Sequence, residues 1–173
     1  MIRKIGKMFP VLHLRALLLC IPLSLGAAYA GAQGTNVAFG TLKADPTLPV
    51  EVTADTLDVS QADGTAIFTG NVVIGQGEMR LSADRVLVVY NEEADGIDRM
   101  QATGGVVLVN GPDAAEADKA DYSVASGVIV MTGNVLLTQG ANALTSERMT
   151  VNLTTGTANM AGRVKTILKS GSD

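Results

Sequence analysis

Tryptophan is absent from this 173-residue chain, and cysteine and histidine occur once each, as Cys20 and His13. Both lie within residues 1–32, which read as a cleaved secretory signal. Arg3, Lys4, Lys7 and Arg15 precede an apolar run from Ala16 to Leu25. Ala28-Tyr29-Ala30 and Ala30-Gly31-Ala32 each fit a signal-peptidase site, so cleavage is expected after Ala30 or Ala32. A retained membrane anchor is the alternative, although the run is short of the roughly 20 apolar residues a spanning helix needs and is interrupted by Pro22 and Gly26. Cys20 follows three leucines rather than the small residue a lipid-attachment cysteine requires. The remaining chain therefore has no thiol and no imidazole, which excludes Cys or His catalysis and zinc sites built on those residues.

Positive charge is scarce too. Four of the 13 Lys+Arg residues and none of the 17 Asp+Glu fall in the signal, leaving 9 against 17 and a net charge of −8. That sign argues against nucleic acid as a partner. No carboxylate pair stands apart from the repeat described next, so an acid–base enzyme has no candidate centre. Metal ligands of the calcium β-helix type are missing as well, since no Gly-Gly-x-Gly-x-Asp run occurs. No cofactor is expected.

What the chain does have is a fourfold repeat marked by two motifs. Thr69-Gly70-Asn71-Val72, Thr103-Gly104-Gly105-Val106, Thr132-Gly133-Asn134-Val135 and Ala161-Gly162-Arg163-Val164 recur with glycines spaced by 34, 29 and 29 residues. Upstream of each stands a small residue and an acid, Ala54-Asp55, Ala83-Asp84, Ala117-Asp118 and Ser146-Glu147, spaced by 29, 34 and 29. One five-residue insertion around Asn91 to Ile97 accounts for the irregularity. Such a pattern is a stack in which each unit buries its apolar face on its neighbour. Residues 33–48 lack periodicity and read as a linker, 49–168 as the repeat domain, and 169–173 as a short disordered tail.

Within each unit apolar residues alternate, and the phase slips by one at the acid, as in Val50, Val52, Ala54 followed by Leu57 and Val59. A slip in a period-two pattern marks a bulge or corner. Turn signals at Asp63-Gly64, Asp95-Gly96, Ser126-Gly127 and Thr155-Gly156 reverse the chain, and the motif glycines are expected to point inward at a second bend. Each unit is thus four short strands, and four units make sixteen: an all-β body of two facing antiparallel sheets, a folded trough or jelly-roll open at both ends. The inner face gathers Val50, Val52, Leu57, Val59, Phe68, Val72 and Ile74 from the first unit. Leu81, Val86, Val88, Met100, Val106 and Leu108 come from the second, and Tyr122, Val124, Ile129, Met131, Val135 and Leu137 from the third. Leu144, Met149 and Val151 complete it from the fourth. A core and a lipid site look identical in sequence. With aromatics at 3%, two facing sheets are expected to leave a gap that a ligand occupies. The first strand (Val50, Glu51, Val52) and the last (Val164, Lys165, Thr166, Ile167) are unpaired edges that invite another strand. Lys119, Arg148 and Arg163 are rim positions, read as solvated surface or as contacts to anionic headgroups.

The stretch from Phe68 to Gly77, then Leu81-Ser82-Ala83-Asp84-Arg85-Val86, Val130 to Val135 and Arg163 to Leu168, resembles the periplasmic lipopolysaccharide-transport proteins of the LptA/OstA-like family over residues 49–168. The resemblance implies a slightly twisted, V-shaped, sixteen-stranded jelly-roll that binds lipopolysaccharide by its lipid A acyl chains. Contacts would map onto Val50, Val52, Leu57, Val59, Tyr122 and Val124. It further implies copies joined head to tail in the periplasm, linking an inner-membrane LptC-type bitopic protein to the N-terminal periplasmic domain of an outer-membrane LptD-type protein. A ligand-free β-polymer and a membrane-anchored partner of the same pathway are the other functional classes.

Overall fold

The computed structural model describes residues 35–38, 47–91 and 96–168. The signal, the tail, much of the linker and the Asp95 turn lie outside the described residues. Eleven strands follow in chain order: β1 (Thr35–Ala38), β2 (Glu51–Thr53), β3 (Thr56–Ser60), β4 (Thr65–Gln76), β5 (Met79–Tyr90), β6 (Ile97–Asn110), β7 (Asp113–Ser123), β8 (Val128–Gln139), β9 (Asn142–Asn152), β10 (Thr157–Ala161) and β11 (Lys165–Ile167). They form one antiparallel sheet in the order β1-β10-β9-β8-β7-β6-β5-β4-β2, with β3 also on β4 and β11 also on β9.

The expected sixteen short strands are joined differently. From β4 to β9 the chain runs 11 to 14 residues per strand straight through the corner. Among the described residues the chain is cut there only in the first and fourth units, into β2 with β3 and β10 with β11. The reason is visible in the register. Two residues at each glycine motif oppose one on the next strand, between Thr69/Val72, Thr103/Val106 and Thr132/Val135. A bulge of this kind bends a strand without ending its ladder.

The motif glycines correct a second expectation. Gly70, Gly104, Gly133 and Gly162 have φ between +79° and +84°, and a Cβ on any of them would come well under 3.0 Å from the acid of its own unit: Asp55, Asp84, Asp118 or Glu147. They face the exposed acid, not the core. The residue that follows is also left-handed in each unit: Asn71, Gly105, Asn134 and Arg163. The acid is anchored over this turn, by Asn71 Nδ2 to Asp55 Oδ2 at 2.8 Å, Asn134 Nδ2 to Asp118 Oδ2 at 3.0 Å, and the Arg163–Glu147 ion pair. Beyond the reversals predicted, units are joined by turns at Gly77, Gly111 and Gly140, all with positive φ. Their signal was Gln76-Gly77, Asn110-Gly111 and Gln139-Gly140.

Bending brings the two halves of the sheet face to face. β4 and β7 are three strands apart, roughly 14 Å at the usual interstrand spacing. Yet the Tyr122 hydroxyl, beyond the bend on β7, donates to Gln76 Oε1 at the far end of β4 across 2.5 Å. Both residues are buried. The segment read as linker contributes β1, which lies antiparallel on β10.

Candidate functional site: the inner face and its edges

Of the 22 inner-face residues named from the sequence, sixteen are buried core: Val72, Ile74, Leu81, Val86, Val88, Met100, Val106, Leu108, Tyr122, Ile129, Met131, Val135, Leu137, Leu144, Met149 and Val151. The expected gap is filled. Few aromatics are compensated by methionine: Met79, Met100, Met131, Met149 and Met160 are each no more than 1% exposed. Three flexible torsions and a polarizable sulfur let such side chains close irregular gaps, and equally let them rearrange. Burial pushes the Tyr122 phenol up to about 12, so it stays a neutral donor to Gln76. Gln76 Nε2 in turn donates to the Leu48 carbonyl at 2.9 Å.

Of the other six inner-face residues, Val50, Val52, Leu57, Val59 and Phe68 lie on or beside β2, β3 and β4, and Val124 follows β7. Val50, Val52, Phe68 and Val124 are half-buried against the core. Leu57 and Val59 on β3 are 52% and 62% exposed. They alternate with Asp58 on the opposite face of a strand that has β4 on one side and no partner among the described residues on the other. The apolar face thus begins in water at the first edge and continues without polar interruption into the core. At the other edge, Lys165, Thr166 and Ile167 of β11 are exposed, with β9 as their only strand neighbour among the described residues, and Val164 packs partly on the core.

The rim residues divide. Arg163 is taken by Glu147. Lys119 and Arg148 sit on the outer face, in register with Thr132 between them, and line a cleft of about 660 Å³ with Gln101, Asp121 and Val130. Among the described residues no cluster of His, Cys, Asp and Glu could hold a metal, and no helix is long and apolar enough to cross a membrane.

A family model described as "LptA/(LptD N-terminal domain) LPS transport protein" matches residues 51–157. An uncharacterized protein of Rhizobium meliloti (strain 1021) is 30% identical over 116 residues, 62% of each chain, so this chain spans about three-fifths of that relative's length. Among solved structures, LptH, "the LptA homologous periplasmic component of the conserved lipopolysaccharide transport device from Pseudomonas aeruginosa", aligns with a TM-score of 0.66 at 18% identity, covering 73% of this chain and 99% of that one. That likeness carries the fold: an LptA-like β-jelly-roll.

Proposed function

This chain belongs to the LptA/(LptD N-terminal domain) family of lipopolysaccharide transport proteins, and on that premise we propose that it is a periplasmic carrier that shields lipopolysaccharide acyl chains on its inner apolar face and passes them between copies joined head to tail. It works without catalysis or cofactor. The observation that carries this reading is the exposed apolar lip of Leu57 and Val59, continuous with Phe68, Val52 and the core.

The physical need is large. Exposing one methylene to water costs about 0.8 kcal/mol, so a twelve-carbon chain costs roughly 9 kcal/mol. A lip at an open edge accepts the end of such a chain while the sugar headgroup stays in water. The facing halves then part and the methionines repack as the chain slides inward. A net charge of −4, or −8 without residues 1–32, suits a protein that holds acyl chains rather than gripping phosphates. The bridge would run from an LptC-type inner-membrane protein to the N-terminal domain of an LptD-type outer-membrane protein, with β2–β3 of one copy on the last edge of the next.

The filled core favours a second reading, a structural β-polymer with no ligand. Mass spectrometry of lipid extracted from the protein purified out of a lipopolysaccharide-producing host separates them. The carrier yields lipid A species in stable proportion to protein; a scaffold yields none above that of an unrelated exported protein. Sequencing the N-terminus of the same preparation tests export with cleavage after Ala30 or Ala32 against a retained anchor.

A further inference from the structure

Each step from one repeat to the next uses a single register. The residue before the glycine pairs with the residue after the following acid, and the residue two beyond the glycine pairs with the one before that acid. The pairs are Thr69↔Arg85 and Val72↔Ala83, Thr103↔Lys119 and Val106↔Ala117, Thr132↔Arg148 and Val135↔Ser146. The fourth glycine strand, β10 with β11, has no further repeat to receive it. Carrying the register onto the first acid strand of a second copy sets Ala161 opposite Thr56 and Val164 opposite Ala54. Met160, Asn159, Ala158 and Thr157 then face Leu57, Asp58, Val59 and Ser60.

Those four places on β10 are occupied. β1 pairs along them as Thr35↔Met160, Asn36↔Asn159, Val37↔Ala158 and Ala38↔Thr157, antiparallel to β10 and so in the direction an incoming β3 would run. Thr35-Asn36-Val37-Ala38 stands where Leu57-Asp58-Val59-Ser60 of a second copy would lie. Val37, the one half-buried residue of β1, takes the place of Val59.

We propose, resting on the head-to-tail reading above, that β1 is an internal mimic of the joining strand, and that copies lock together by exchanging β3 of the second copy for β1. β1 is lightly held. Its three other residues are exposed, and beyond the strand pairing it is held by the packing of Val37 on the core, by Gln139 Nε2 to the Ala38 carbonyl at 2.6 Å and by Asn159 Nδ2 to Asn36 Oδ1 at 2.8 Å. The incoming β3 is one residue longer and brings Leu57 and Val59, whose exposed surface the exchange would cover. The β11 half of the edge carries no outer strand among the described residues, so β2 docks there first, with acidic Glu51 approaching the edge that carries Lys165. Until then β1 keeps β10 from acting as a template for unrelated strands.

The Asn36 and Asn159 side chains touch, so Asn36→Cys with Asn159→Cys in a Cys20→Ser background closes a reversible lock. Sedimentation velocity over a concentration series then compares the oxidised pair, the same protein reduced, and Val37→Asp, which loosens β1. Oxidation should raise the dissociation constant of self-association at least tenfold, reductant should restore it, and Val37→Asp should lower it several-fold. Equal constants for all three, whether all associate or none does, overturn the exchange. Lys165→Pro run alongside distinguishes the two readings. If it abolishes an association that the lock leaves untouched, copies join through β11 and the head-to-tail reading stands without β1 exchange.

Discussion

A carboxylate lies over each of the four motif glycines, where a side chain on that glycine would have to go. Gly133→Ala therefore meets two obstacles, a φ of +81° and the Asp118 carboxylate. Strain and displacement together should cost about 2–4 kcal/mol in urea unfolding. Its neighbour Asn134, at φ +48°, gives a graded comparison. Asn134→Gly should stay within about 1 kcal/mol of wild type, as Gly105 fills the same place in the second unit. Asn134→Val, β-branched in a left-handed position, should lose about 1–3 kcal/mol. Equal stabilities for Gly133→Ala and Asn134→Gly would contradict this account of the corner. The spacing of acid and glycine was legible in the sequence. The direction the glycine faces was not, because alternation assigns a side to a residue by counting and cannot register the extra residue that a bulge inserts. Tyr122 adds a pH dependence. Its pKa in the folded protein, about 12, lies above the ordinary value of 10.0. Its contribution is thus complete below pH 10 and is lost as pH rises through 12. Unfolding measured from pH 9 to 12 should show this loss in wild type and a smaller one in Tyr122→Phe. That variant also removes a partner of buried Gln76, costing about 1–3 kcal/mol at neutral pH.

At the scale of strands, the edges decide what the fold can join. Proline at Lys165 or Thr166 removes a backbone donor from β11, and whichever position points its N–H away from β9 should block an incoming strand. A joint of about five hydrogen bonds, each worth a net 0.5–1.5 kcal/mol or so, is modest once the cost of association is subtracted. Self-association in analytical ultracentrifugation should therefore depend on concentration, and at least one proline variant should shift it toward monomer with the circular dichroism spectrum unchanged. If both variants keep the wild-type distribution, copies do not join through this edge. The inner alternation from Val72 to Val151 could be read directly, and so could the reversals at Gly64, Gly127 and Gly156. β1 could not. Thr35-Asn36-Val37-Ala38 has one apolar residue of any size, and its pairing with β10 connects residues more than 115 positions apart, a contact that local patterning does not encode.

Over the whole molecule, the question is whether an inner face packed this well is a core, a carrier or both. Sixteen residues of that face are buried, and sequence could not separate them from the lip, since Leu57 and Leu81 follow the same alternation. Exposure follows from position in the stack: β5 is covered on both sides, whereas β3 has a neighbour only in β4 among the described residues. Carriage then requires that acyl chains reach the lip first. The most direct test places a photo-crosslinking residue at Leu57 or at Asp58, neighbours on opposite faces of β3, in cells making lipopolysaccharide. Lipopolysaccharide adducts are expected at Leu57, and likewise at Val59, with none above background at Asp58. Equal labelling at Leu57 and Asp58, or labelling at neither, would contradict carriage.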